Sequence, residues 1–243
     1  MSQSSSTGDV KQPTIVFVHG FLDDGDTWND VAAGLPWGSA RVELGDVPSP
    51  TLDAFAEHVT DFVDNKVVGD VVLVGQSMGS QVAELVTVRR PDRVAGLVLV
   101  APVPLGGVSL PAEMADALRN CGGQLELQRG IRTQLSADLP EDKMLRLLYS
   151  GMQLTSDQVA ATFDAWSSGH PEGTGPTRVG APVQIIVADS DPVVRGQLLD
   201  ELILPRFAGA PVATITSSGH WPHVEQPAQV TDVIFRFVAS AVR

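Results

Sequence analysis

The stretch Val71-Val72-Leu73-Val74-Gly75-Gln76-Ser77-Met78-Gly79 limits the fold more than any other part of the chain. A short apolar, β-branched run bounded by glycine reads as a buried strand. From Gln81 to Arg90, Val82, Leu85 and Val86 recur at helical spacing. Ser77 therefore stands where a strand turns directly into a helix. Such a turn strains the serine backbone and presses the residues two before and two after it against other backbone, so both must be small. Gly75 and Gly79 hold those positions. The turn lifts the Ser77 hydroxyl clear of the sheet and leaves the Met78 amide at a helix N-terminus, facing the same space.

The rest of the chain repeats this rhythm. Thr14 to Val18 reads as a strand and runs into His19-Gly20-Phe21-Leu22. Trp28 marks a short helix. Arg41 to Leu44 is a short strand, and Leu52 to Lys66 a helix whose stripe is Leu52, Phe55, Ala56, Val59, Phe62 and Val63. Val94 to Val100 and Val183 to Ala188 are buried strands, Arg195 to Leu204 a helix, and Val212 to Thr216 a last strand. A closing helix spans Ala228 to Val242. Strands alternating with helices predict an α/β fold, a mostly parallel sheet of about six strands with helices on both faces. Between residues 102 and 181 the rhythm stops. Helical stretches at Pro111 to Asn120, Lys143 to Met152 and Ser156 to Ser167 are punctuated by glycines, without strand-like runs. The expected organisation is a tail over 1–12, a core made of 13–101 and 182–243, and a helical lid over 102–181.

Bulk properties narrow the function classes. The net charge of −13 argues against nucleic acid and anionic membrane surfaces. No apolar run is long enough to span a bilayer. The tail is polar and Ser-rich, without the apolar centre of a secretory signal. Cys121 is the single cysteine, so no intrachain disulfide can form and a cytoplasmic location is expected. Asp23, Asp24 and Asp26 read as a solvated loop and lack the spacing of a calcium loop. His19, His58, His170 and His223 read as structural or surface residues.

Gly-Gln-Ser-Met-Gly after a strand, the early His-Gly loop and the late Ser-Gly-His-Trp turn together resemble the α/β-hydrolase family over nearly the whole chain from Thr14. The resemblance implies a serine, acid, histidine order. Ser77 would be the nucleophile and His220 the base. The acid would follow the strand ending at Ala188. The strand ending near Val100 leads into Ala101-Pro102-Val103-Pro104, so the other acid position used in the family is empty. Of Asp189 and Asp191, the family pattern of a small residue, two variable residues and then the acid favours Asp191. Glu225 reads as a carboxylate near the start of the final helix. The backbone amides of Phe21 and Met78 would form the oxyanion hole, with no metal and no organic cofactor.

The implied activity is hydrolysis of a small, largely apolar carboxylic ester or lactone through an acyl-enzyme. Carbon–carbon hydrolases and cofactor-free perhydrolases or haloperoxidases share the Ser77 motif and stay open, as does a slow-turnover receptor. Hydroxynitrile lyases use a lysine beside the histidine, whereas Lys11, Lys66 and Lys143 are all distant from His220 in sequence. Haloalkane dehalogenases and epoxide hydrolases carry aspartate where this chain has Ser77. Of the lid's apolar residues, including Met144, Leu147, Leu148, Met152, Leu154, Phe163 and Trp166, most are expected in its own core and a minority in the substrate pocket.

Overall fold

The computed structural model describes residues 12–241; the expected tail lies almost wholly outside them. Six strands form one sheet: β1 (Thr14–Val18), β2 (Ser39–Val42), β3 (Val71–Gln76), β4 (Val94–Val100), β5 (Val183–Ala188) and β6 (Val212–Ile215). Their order is β2-β1-β3-β4-β5-β6, and every neighbouring pair is parallel. β3 lies inside the sheet and is buried at every position, which its continuous apolar run requires.

Alternation along β1 divides the core. Ile15 and Phe17 face a cluster with Trp28, Val31 and the closing helix residues Val230, Ile234 and Phe237. Val16 and Val18 face the opposite cluster, built with Phe55, Val59, Val82 and Leu85. The first face is covered by α1 (Asn29–Ala33) and, beyond the final strand, by the closing helix Pro227–Ala241. The second is covered by α2 (Leu52–Lys66) and α3 (Met78–Arg89). Thr51 caps α2 by accepting the Ala54 amide on its side-chain oxygen.

Four helices separate β4 from β5: α4 (Ala112–Asn120), α5 (Leu125–Leu135), α6 (Glu141–Met152) and α7 (Ser156–Ser168). Three of them match the helical stretches expected from sequence, and α5 has no counterpart among those stretches. Leu127, Ile131 and Leu135 recur every fourth residue there, but Gly130 and the surrounding polar side chains dilute the stripe. After β5 the expected helix from Arg195 shrinks to a wide-turn helix, Leu198–Ile203. One-turn α8 (Pro222–Glu225) precedes the closing helix, α9 (Pro227–Ala241). Among the described residues, no helix is long and apolar enough to cross a membrane.

Candidate active site

Ser77 occupies the turn between β3 and α3 with φ 51° and ψ −121°, a left-handed conformation that a residue with a Cβ adopts only when its surroundings impose it. The Ser77 amide donates to Val100 O at 3.0 Å, tying the turn to β4. The glycine requirement is steric. A Cβ on Gly75 would stand 2.2 Å from Gly79 O, and one on Gly79 would stand 2.4 Å from Val18 O.

His220 and Asp191 arrive from the loops after β6 and β5. Ser77 Oγ lies 2.9 Å from His220 Nε2, and His220 Nδ1 lies 2.8 Å from Asp191 Oδ2. The other Asp191 oxygen accepts the amides of Val193 at 2.8 Å and Val194 at 3.1 Å. Asp191 is fully buried. Burial pushes its carboxyl upward, but the His220 charge and the hydrogen bonds from His220, Val193 and Val194 prevail and hold it below its ordinary value. Burial likewise pulls His220 downward; the Asp191 charge and hydrogen bond, with Asp23 and Glu225 adding to them, raise it instead.

The histidine loop is fixed on several sides. The His220 amide donates to Leu135 O at 2.8 Å, and its carbonyl accepts from Gln76 Nε2 at 2.9 Å. Glu225, which ends α8 just before the closing helix starts at Pro227, accepts the amides of Gly219, Trp221, Ala137 and Asp138. Asp189 accepts the amides of Ser217 and Ser218, so it holds the loop and stands apart from His220. The Met78 amide opens α3, and neither it nor the Phe21 amide has an acceptor among the described residues.

One expectation for this region is corrected. Asp23 is buried rather than solvated. Its Oδ1 accepts from Arg132 Nη1 at 2.9 Å and its Oδ2 from Trp221 Nε1 at 2.9 Å. Arg132 also donates to the carbonyls of Leu22 and Leu147. An unpaired carboxylate would be expelled from such a place, and Arg132, supplied by α5, lets it stay. Asp24 is half-buried and accepts from Ser150 Oγ at 2.6 Å, while Asp26 is exposed.

The remaining histidines are separate from Ser77. His19 accepts the Leu44 amide on Nε2 at 3.0 Å and serves its loop. His170 caps a short turn. His223 is fully buried against Trp28, with ring centroids 4.1 Å apart. Burial drives its pKa down to about 3. The Cys121 thiol is pushed up by burial to about 11, which leaves it a poor nucleophile. Among the described residues, no group of three or more His, Cys, Asp or Glu side chains is placed to hold a metal.

Above Ser77 lies a narrow cavity lined by Phe21, His220 and Trp221 and, from the four-helix insertion, by Met114, Ile131 and Trp166. Its open space is about 50 Å³, room for a few waters at about 10–15 Å³ each on the same measure. Of the apolar insertion residues singled out from sequence, Trp166 lines it, while Leu147 and Leu148 are buried elsewhere. A larger groove, about 720 Å³, lies at the far end of β5 and β6 around Val183 and Pro211, away from Ser77.

A hydrogen-bonded serine–histidine–carboxylate chain thus lies at the carboxyl ends of a parallel sheet. Residues 15–233 match the family model described as the alpha/beta hydrolase family, and the chain belongs to that family. It is 25% identical to the sn-1-specific diacylglycerol lipase ABHD11 of Mus musculus, over 98% of this chain and 85% of that one. Carboxylesterase CesB (YbfK) from Bacillus subtilis superposes with a TM-score of 0.79 at 18% identity, covering 97% of this chain and 86% of that one. Bromoperoxidase from Bacillus anthracis superposes with a TM-score of 0.82 at 15% identity, covering 95% and 93%.

Proposed function

We propose that this chain is a serine hydrolase of small carboxylic esters or lactones. The observation that carries the reading is the hydrogen-bonded chain from Ser77 through His220 to Asp191. The similarity to proteins named as a lipase and a carboxylesterase supports an ester substrate.

In this reading Ser77 Oγ attacks the ester carbonyl carbon as its proton passes to His220 Nε2. The carbonyl π electrons move onto oxygen, and the amides of Met78 and Phe21 stabilise that oxyanion. Collapse breaks the bond to the alcohol, which leaves with the proton from His220. Water, deprotonated by His220, then attacks the acyl-enzyme and releases the acid and free Ser77. Asp191 holds the Nδ1–H tautomer and stabilises the imidazolium.

Helices α4 to α7 act as a lid over Ser77. The cavity beneath them has Ser77 and His220 in its lining. The apolar lining contributed by Met114, Ile131 and Trp166 favours a largely apolar substrate. The lone cysteine fits a reducing, cytoplasmic setting.

A fluorophosphonate probe should label the protein, with the adduct mapped by mass spectrometry to Ser77. Ser77→Ala should fold normally and lose nearly all turnover of p-nitrophenyl acetate. An active protein that resists the probe, or one labelled elsewhere, overturns the reading.

A further inference from the structure

Most polar groups around the Ser77 cavity are already committed. Asp23 takes Arg132 and Trp221 on its two oxygens, and Gln76 gives its amide nitrogen to His220 O. Two N–H donors are not. Arg132 Nε and Trp166 Nε1 are buried and have no acceptor among the described residues, and both side chains line this cavity. They come from α5 and α7, on the insertion that covers Ser77. Buried donors are nearly always satisfied, so two of them beside one nucleophile point to a ligand acceptor. The cavity also holds one uncommitted acceptor, Gln76 Oε1. It packs against Gly20, where an added Cβ would lie only 2.2 Å away, so a ligand group approaching from that side is shut out.

Resting on the esterase reading, we infer that the substrate carries a second, uncharged oxygen acceptor besides the scissile carbonyl, received by Trp166 Nε1, with Arg132 Nε the other unpartnered donor of the same lining. The acceptor is a ketone, ether or second ester oxygen. A carboxylate is excluded by charge. The Arg132 guanidinium is already matched by Asp23 at 2.9 Å, with both side chains 1% exposed. A substrate carboxylate would add a second buried anion beside Asp23 without a further cation. An ester with a further oxygen can bring an acceptor to this lining, whereas plain alkyl chains leave its N–H groups unpaired.

The test compares wild-type kcat/KM on methyl hexanoate, on methyl hexanoates bearing a ketone at the third, fourth or fifth carbon, and on butyl against methoxyethyl hexanoate. Monomethyl adipate supplies the carboxylate arm. At least one oxygenated ester should exceed its alkyl partner by about tenfold or more. Trp166→Phe, which removes the N–H and keeps an aromatic ring, should bring that ratio back towards one. No preference in either series, or a preference that survives in Trp166→Phe, overturns the inference and leaves the donors to ordered water. Preference for monomethyl adipate overturns it in favour of a carboxylate site. Should Trp166→Phe fail to fold by circular dichroism, the wild-type ratios still decide. Failure of every ester together with a Ser77 silent to fluorophosphonate would sink the esterase reading itself. Ready hydrolysis of methyl hexanoate without an oxygenated preference sinks only this inference.

Discussion

Arg132 in α5 meets Asp23 in the loop after β1 at 2.9 Å, with both side chains 1% exposed. The pair joins the four-helix insertion to the loop that bears the Phe21 amide, and the Arg132 guanidinium stacks over Trp221 at 5.2 Å, next to His220. Breaking one side of a buried pair leaves an uncompensated charge, which costs about 3–5 kcal/mol. Arg132→Met should therefore lower the urea midpoint strongly. Asp23→Leu combined with Arg132→Met should recover most of that loss. A single-variant cost below about 1 kcal/mol would show that water reaches the pair.

Asp191 and Asp189 follow the same strand but do different work. Asp191 bonds His220 Nδ1, and Asp189 bonds the amides of Ser217 and Ser218. Asp191→Asn removes the charge and can hold the imidazole in the wrong tautomer, a change that costs roughly 10⁴ in kcat in serine proteases. Asp189→Asn should keep most of the activity with a modest loss of stability. Measuring kcat of both variants on one ester, with circular dichroism as the folding control, decides; a crippled Asp189→Asn enzyme reverses the assignment.

The pH profile should carry the mark of Asp191 on His220. In the proposed mechanism His220 must be neutral to accept the Ser77 proton, and its folded pKa is raised above the ordinary 6.5. The acid limb of kcat/KM should then have its midpoint above 6.5, with activity rising as pH increases through it. Whatever activity Asp191→Asn retains should show that limb moved to lower pH. A wild-type midpoint at or below 6.5 contradicts the geometry. Stability follows the opposite direction: the His220 contribution is complete below pH 6.5 and fades as pH rises through the folded pKa.

His223 should act on acid stability in the reverse sense. Its ring stays neutral in the folded state down to about pH 3, while the unfolded chain takes up a proton near 6.5. Below 6.5 it therefore disfavours folding by about 1.4 kcal/mol for each pH unit until its folded pKa is reached. His223→Phe preserves the stack on Trp28 and removes the titration. The variant should unfold at a lower pH than wild type in an acid titration followed by fluorescence. An unchanged acid midpoint would mean that His223 is protonated in the folded protein.

Local patterning accounts for most of what was legible in advance. The apolar runs specified six strands, and the glycines flanking Ser77 specified the turn, because a Cβ on Gly75 collides with the Gly79 carbonyl inside the turn itself and one on Gly79 with the neighbouring strand. The family resemblance pointed to His220 and Asp191, and the structure places both in loops after strands, joined to one another and to Ser77 by hydrogen bonds. The burial of Asp23, the identity of its partner and the role of Glu225 were not legible. Asp23 and Arg132 are 109 residues apart, and Glu225 reaches amides 88 and 87 residues away as well as its own loop. A charged side chain in an amphipathic helix or a turn reads as solvent-facing until an opposite charge or a set of free amides is folded against it. The sequence by itself determined the six strands, most of the helices and the turn at Ser77, all of which depend on neighbours in the chain. Only the tertiary structure decided which charges are buried and which insertion helix carries the His220 loop, because burial of a charge depends on a partner that sequence distance conceals.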